Sequence, residues 1–292
     1  MSFSLEKYIS DLARRFDLFE NVAWADIPVP VALAKECQKS RPTLKEIADS
    51  LETYTTLVGS IVFIATFARP DVAFAAHFLA SYMIRPGPAH LRLAKRVLGY
   101  LSRTKKLAIT YRKGQSDVSF TFSPLDNGDA DKTGLPHLLT DTDHGIERSI
   151  TGWLFMHGGA AGSWGVRGQV SPALSSAESE LYGLSTGVCD LLTQVNVLEE
   201  MHVAIKPEIS VLTDSRGARL LSQDYASSAR TRHIHRRWYS VQFYSDSGRI
   251  VVTQIKGSLN RANFLTKPVG GAAFAQDRMY ALGIQVMVNS SS

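Results

Sequence analysis

The sequence predicts an α/β protein: a mixed β-sheet with flanking helices over residues 137–270, preceded by a mainly helical N-terminal subdomain over residues 1–112. Three observations predict it. Apolar residues recur at helical spacing through the N-terminal segment. From residue 137 the order reads as three strands, helix, strand, helix, helix, strand and helix, which suggests one sheet with helices packed on it. Between the two parts, DNGDADKTG at 126–134 is polar, turn-rich and without periodicity. Residues 113–136 therefore read as a linker or insertion, and residues 271–292 as a C-terminal tail.

Taken in order, Leu5, Tyr8, Ile9, Leu12 and Phe16 share one helical face. Residues 18–50 read as irregular, with Pro28, Pro30 and Pro42 as breaks. Residues 52–83 read as buried helix interrupted near Arg69 and Pro70. After Pro86 and Pro88, AHLRLAKRVLGYLSR carries a stripe of Leu91, Ala94, Val97, Leu98 and Leu101. Arg92, Lys95, Arg96 and Arg103 fill the rest, which makes a core-packed helix with a basic outer face. LAITY and VSFTF read as short strands. Strands follow near 137–142, 149–156 and 160–164, the last two joined by a Gly158-Gly159 hairpin turn. A long helix from Ser176 to about Met201 has a stripe of Leu181, Leu184, Val188, Leu191, Val195, Leu198 and Met201. Then come strand 208–214, a short helix SRGARLLS, a helix ending at Gly248, strand RIVVTQI and a last helix over roughly 260–266. Trp153, Trp164, Trp238 and Phe243 read as core aromatics.

Composition narrows the function classes. Hydrophobic residues make up 45% of the 292 positions and charged residues 20%, enough for a buried core. The longest uncharged apolar run, Thr56 to Ala68, is shorter than the roughly 20 residues of a membrane-spanning helix. The N-terminus mixes charges into its first turns. A soluble intracellular chain, cytoplasmic or nuclear and with no membrane partner, is the expectation. Cys37 and Cys189 make neither a disulfide framework nor a zinc cluster, and both read as buried and reduced. The net charge is +5, unevenly spread. No acid lies between Asp71 and Asp117, a stretch that holds Arg92, Lys95 and Arg96, and a second basic cluster holds Arg230, Arg232, Arg236 and Arg237. Two clusters of one sign suggest a nucleic-acid partner, against the plainer reading of two solvated faces. His233 and His235 lack nearby acids or cysteines and read as part of a basic helix rather than as metal ligands.

The acidic residues point to metal chemistry. A metal-dependent nuclease needs carboxylates from separate elements converging on one point, where cations activate water and stabilise the leaving oxygen. Asp141 ends the strand HLLTD, Asp143 lies two residues on, and Asp214 ends EISVLTD just before a helix. Helix capping or turn formation would also suit an aspartate at such places. Ser175 and Glu178 have capping-box spacing, so Glu178 has a structural role. Glu180 lies about 200° further round the helix. It borders the apolar stripe, where no structural need places an acid, and is the preferred metal ligand.

These segments resemble, in order, the C-terminal reverse transcriptase and ribonuclease H region of copia-type retrotransposon polyproteins. YTTLVGSIVFIATFARPDVAFAAHFLASYM resembles the family's Y-x-x-L-V-G-S and R-P-D-I-x-F-A-V elements, and HLRLAKRVLGYLSRT its H-x-x-A-x-R-V-L-R-Y-L-x-x-T. LLTDTDHGIERSITGW resembles S-D-A-D-W-A followed by R-x-S-T-S-G-Y, and SPALSSAESELYGLS resembles A-L-S-S-A-E-A-E-Y. LTDSRGA looks like the third-carboxylate motif, RTRHIH resembles R-T-K-H-I-D, and NRANFLTKP resembles N-x-A-D-I-F-T-K-P. The resemblance implies a ribonuclease H-like fold and hydrolysis of the RNA strand of an RNA–DNA hybrid with Mg²⁺ or Mn²⁺. It implies Asp141, Glu180 and Asp214 as the first three of four catalytic carboxylates.

The fourth falls on Asn263, a neutral residue that would bind a second metal poorly. Asn263 or Asp143 would complete the site. His144-Gly145 replaces the family's Trp-Ala, and His235 an Asp. The polymerase's paired-Asp motif is absent, so DNA synthesis is not expected. A catalytically impaired remnant that still binds nucleic acid, or a structural protein, stands as the alternative. An integrase core shares the broad fold but fits the segment order less well.

Overall fold

The computed structural model describes residues 1–17, 26–111, 136–144, 148–170, 173, 175–203, 205, 208–217, 219 and 235–284, the side chains of 235–238 excepted. The expected strand VSFTF, the 126–134 stretch, Arg230, Arg232 and His233 lie outside the described residues. The chain divides into two compact units. One holds Met1–Thr110 together with Lys267–Ile284, and the other holds Tyr111–Thr266.

The first unit is helical: α1 (Glu6–Arg15), α2 (Val31–Lys39), α3 (Leu44–Phe67), α4 (Ala73–Ala80) and α5 (Pro88–Arg103). A short antiparallel pair, β1 (Ser2–Phe3) and β2 (Ile109–Thr110), joins its ends. The region expected to be irregular, 18–50, contains α2 and the start of α3. Its prolines stand just outside the helices instead of breaking them. Pro30 is the N-cap of α2, and Pro42 precedes the α3 cap, Thr43. Thr43 Oγ1 accepts from the Glu46 amide at 3.3 Å, while Glu46 accepts from the Thr43 amide at 2.7 Å, a complete capping box. Among the described residues α3 alone is long and apolar enough to cross a membrane, which the expectation drawn from the shorter uncharged run missed. Its face of Tyr54, Leu57, Val58, Ile61 and Ile64 is wholly buried and packs against α4 and α5, as a core helix does.

The break at Arg69 is explained by burial. The Arg69 guanidinium forks onto both oxygens of Asp71 at 2.8 and 2.7 Å, and the Tyr100 hydroxyl adds a third hydrogen bond to Asp71 at 2.6 Å. Burial alone pushes the Asp71 carboxyl up, but Arg69 and Tyr100 outweigh it and hold it below the usual carboxylate range. The stretch expected as a tail carries a further helix, Gly271–Leu282. Its Phe274, Tyr280 and Leu282 are buried in this unit, and Arg278 donates to the Tyr100 hydroxyl at 3.1 Å.

The second unit is a five-stranded mixed sheet with flanking helices, the ribonuclease H-like class that the sequence predicts. Its strands are β3 (His137–Asp143), β4 (Ile150–His157), β5 (Ala160–Gly168), β6 (Ile209–Thr213) and β7 (Ile250–Gln254), in the order β5-β4-β3-β6-β7. The first three form an antiparallel meander. Gly158 and Gly159, at φ +61° and +79°, make the hairpin turn between β4 and β5, where both positions need the left-handed region. β6 runs parallel to both β3 and β7. The β3 to β6 connection passes through α6 (Ser176–Glu200), which lies on the sheet. Leu181, Leu184, Val188, Leu191 and Val195 of α6 meet Leu138, Phe155 and Val211 in the core. α7 (His235–Asp246) packs against α6, and Gly248 at φ +68° follows its end. The helix in the first unit at Gly271–Leu282 is α8.

Three expectations need correction here. Residues 260–266 form no α-helix; two 3₁₀ turns, Gly257–Leu259 and Asn263–Leu265, stand in this region. Cys189 is exposed, because it follows the sheet-facing Val188 by one step round α6 and so turns onto the flank of the helix. Phe243 is also exposed and Trp164 is half-buried, whereas Trp153, half-buried, packs against the sheet core as expected.

Candidate metal centre

Three elements deliver three carboxylates to one place. Asp141 lies near the carboxyl end of β3, and Asp214 immediately follows β6, the parallel neighbour of β3. Strand ends of this kind form the mouth of many α/β sites. Glu180 sits in the first turns of α6. One oxygen from each of Asp141, Glu180 and Asp214 lies within 4.8 Å of the other two. Asp141 is 2% exposed, and the other two are half-buried.

The approach of α6 depends on glycine. Gly183 and Gly187 are three and seven residues after Glu180 and share its side of the helix. A Cβ on Gly183 would lie 2.2 Å from Thr142 Oγ1, and one on Gly187 would lie 2.7 Å from Thr140 Cγ2. Without side chains at these positions the helix settles directly on β3, and Glu180 is brought beside Asp141. Glu178 points elsewhere: it is buried, its amide donates to Ser175 Oγ at 3.2 Å, and its carboxylate accepts from the Tyr182 hydroxyl at 3.2 Å.

Other polar groups hold the carboxylates. Thr266 Oγ1 donates to Asp141 Oδ2. Gly152 of β4 pairs with Asp141 in the sheet and leaves space for this contact; a Cβ there would lie 2.6 Å from Leu265 Cβ and 2.9 Å from Thr266 Cγ2. Asn260 is 1% exposed and donates to the Thr140 carbonyl at 2.9 Å and to Asp214 Oδ1 at 3.3 Å. On the α6 side, Gln169 Nε2 donates to the Ser179 carbonyl at 2.8 Å and to Thr151 Oγ1 at 3.0 Å, tying the residue before Glu180 to β4. These helpers were not singled out in the sequence, although Asn260 and Thr266 lie inside NRANFLTKP.

Asn263 is engaged differently from a ligand. Its side-chain nitrogen donates to the Gly257 carbonyl at 2.9 Å and the Asn260 carbonyl at 2.6 Å, which closes the turn. Asp143 is exposed at the end of β3 and is not a member of the three-carboxylate group. Of the basic residues, Arg92 and Lys95 are exposed on α5 and Arg96 is half-buried. Arg92 is paired with Glu36. Arg236, Arg237 and His235 lie on α7, with side chains outside the described residues. A cleft of about 610 Å³ runs along the flank of α6, lined in part by Arg167, Gln169, Thr186, Cys189 and Asp190.

No family model matches the chain. It is similar to the "Retrovirus-related Pol polyprotein from transposon TNT 1-94" of Nicotiana tabacum, 31% identical over 270 residues, covering 91% of this chain and 19% of that protein. It is also similar to the Pol polyprotein from transposon RE1 of Arabidopsis thaliana, 26% identical over 94% of this chain and 17% of that protein. The chain thus spans about a fifth of the length of these relatives. Among solved structures, the N-terminal RNase H domain of rv2228c from Mycobacterium tuberculosis aligns with 50% of this chain and 97% of its own, at 13% identity and a TM-score of 0.36. Over 91–94% of its length the chain is thus homologous to a stretch of copia-type retrotransposon Pol polyproteins, in agreement with the segment order read from the residues.

Proposed function

We propose that the second unit is a metal-dependent ribonuclease that hydrolyses the RNA strand of an RNA–DNA hybrid. The observation that carries this reading is the meeting of Asp141, Glu180 and Asp214 within 4.8 Å. Three carboxylates at that spacing repel one another unless a cation lies among them, and an all-oxygen donor set suits Mg²⁺ or Mn²⁺. Such an ion supplies Lewis acidity at a phosphoryl oxygen and makes water a better nucleophile. The chain's own part is to hold the acids: Thr266 orients Asp141, Asn260 holds Asp214, and Gln169 fixes the turn before Glu180. Arg92, Lys95 and Arg96 on α5, and Arg230, Arg232, Arg236 and Arg237, supply cations for phosphate contacts that release counterions.

The test is incubation of the full chain with a labelled RNA–DNA hybrid and Mg²⁺ or Mn²⁺. Cleavage of the RNA strand, abolished by Asp141→Asn, is the expected result. Asn263 favours a second reading, a domain that binds the hybrid without cutting it, because a neutral amide committed to two carbonyls stands where the family has a carboxylate. Salt-sensitive binding without cleavage would favour that reading. No salt-sensitive binding at all would sink both.

A further inference from the structure

We infer that Asn260 is a positioning residue of this centre, a splint across the point where the two carboxylate-bearing strands part. The inference rests on the metal-centre reading above. The parallel ladder between β3 and β6 runs from His137↔Ser210 to Leu139↔Leu212 and stops there. Beyond it, Thr140-Asp141 and Thr213-Asp214 are no longer paired to each other, and β6 continues on β7 alone through Thr213↔Gln254. This fork gives the carboxylates space, and it removes the backbone bonds that would fix their separation.

Asn260 bridges the fork from a turn far along the chain. A side-chain amide has two N–H donors and an acceptor oxygen. One N–H goes to the Thr140 carbonyl at 2.9 Å, next to Asp141, and the other to Asp214 Oδ1 at 3.3 Å. Its oxygen accepts from the Ala262 amide at 3.1 Å, which fixes the plane of the side chain. The turn is braced in its own right by Asn263, through the Gly257 and Asn260 carbonyls. Gly257 closes the other side of the aspartate, where a Cβ would lie 3.0 Å from Asp214 Oδ2. Both oxygens of Asp214 are thus bounded by one turn, and that turn is tied to the residue before Asp141. An aspartate at 260 would fill the same space but lose both donors and face Asp214 with like charge.

The test is Mn²⁺ binding to the full chain by titration calorimetry, without substrate. The wild type, Asn260→Ala, Asn260→Asp and the core variant Leu184→Ala are compared, each shown by circular dichroism to be folded at the working temperature. Residues that orient metal ligands typically change affinity about 10–100-fold, and a loss of that size is expected in both Asn260 variants. Leu184→Ala should keep wild-type affinity although it weakens the fold. Wild-type affinity in Asn260→Ala, or an equal loss in Leu184→Ala, overturns the positioning role.

A wild type that binds no Mn²⁺ removes the metal reading itself. The splint is then decided in the metal-free protein by ¹H–¹⁵N spectra. The two Asn260 side-chain protons should be slow to exchange, and one should become fast in Asp214→Ala. Rapid exchange of both in the wild type overturns the inference without reference to any metal.

Discussion

Asn263 shows how one atom decides what a position can do. As an amide it donates to two carbonyls at 2.9 and 2.6 Å. A carboxylate there would meet both carbonyl oxygens with no proton to share and would have to turn away. Asn263→Asp should therefore lower the stability of the metal-free protein by about 0.5–1.5 kcal/mol, the net worth of an ordinary hydrogen bond where water can reach the carbonyls. The freed carboxylate can then join the other three. The variant should show a larger rise in melting temperature on adding Mn²⁺ than the wild type, with faster hybrid cleavage; an equal rise would mean that the side chain does not reach the centre. Gly152 acts by having no side chain. Gly152→Ala would push its methyl group into Leu265 and Thr266, so urea denaturation should show a loss of about 1–3 kcal/mol, as overpacking does. Cleavage should fall with it as Thr266 leaves Asp141, and a variant as stable and active as the wild type would refute this. The three clustered carboxylates could be picked out in the sequence because few residue types suit a hard cation and because Asp141, Glu180 and Asp214 sit in recognisable segments. Their supports were not. Asn260 and Thr266 are ordinary turn residues until the fold brings them to partners 120 and 125 positions away.

Elements were most legible where a long periodic stripe of apolar residues is buried, as in α5 and α6. They were least legible where tertiary packing substitutes for local signals. α8 has glycine at both its N-cap and first positions, and its buried Phe274, Tyr280 and Leu282 supply what local propensity lacks. The prolines near α2 and α3 were read as breaks, yet proline just before a helix removes no hydrogen bond. The start of α5 gives a pH prediction. The Gly87 amide donates to His90 Nδ1 at 3.0 Å, so Nε2 must carry the proton that meets the Cys37 carbonyl at 3.1 Å. Burial holds the His90 pKa below its ordinary value, with the bond to Cys37 opposing it more weakly. The unfolded chain therefore takes up this proton first as pH falls. The stability linked to His90 is whole above the ordinary value near 6.5 and is lost below it. His77 and His157 are lowered by burial and act in the same direction. Urea midpoints should fall between pH 7.5 and 5.5, and the fall should be smaller in His90→Gln. An unchanged slope in that variant would mean that His90 does not titrate as its contacts require.

Across the whole molecule, helical periodicity ends with α5 at Arg103, shortly before the first unit's main segment ends at Thr110, but the return of the chain to that unit had no such signal. Lys267–Ile284 belongs with Met1–Thr110, a long-range association with no local signature. Its α8 places Phe274 6.0 Å from the Tyr100 ring, and Arg278 donates to the Tyr100 hydroxyl. Tyr100 in turn holds the buried Asp71 that is paired with Arg69. Removing α8 would uncover one side of a network whose charges depend on staying paired and dry. The loss includes Phe274, Tyr280 and Leu282, each worth about 1.5–3 kcal/mol of burial, against a total stability of about 5–15 kcal/mol for a domain. A chain lacking residues 271–292 should therefore lose most of the stability of its helical unit while the sheet unit, which contains all three carboxylates, keeps its own core. Differential scanning calorimetry should show one transition lowered or abolished and a second little changed, with Mn²⁺ raising only the second. If the whole chain instead melts in a single lowered transition that Mn²⁺ no longer raises, the helix supports the carboxylate-bearing sheet as well as the helical unit, and the division of stability between the two is wrong.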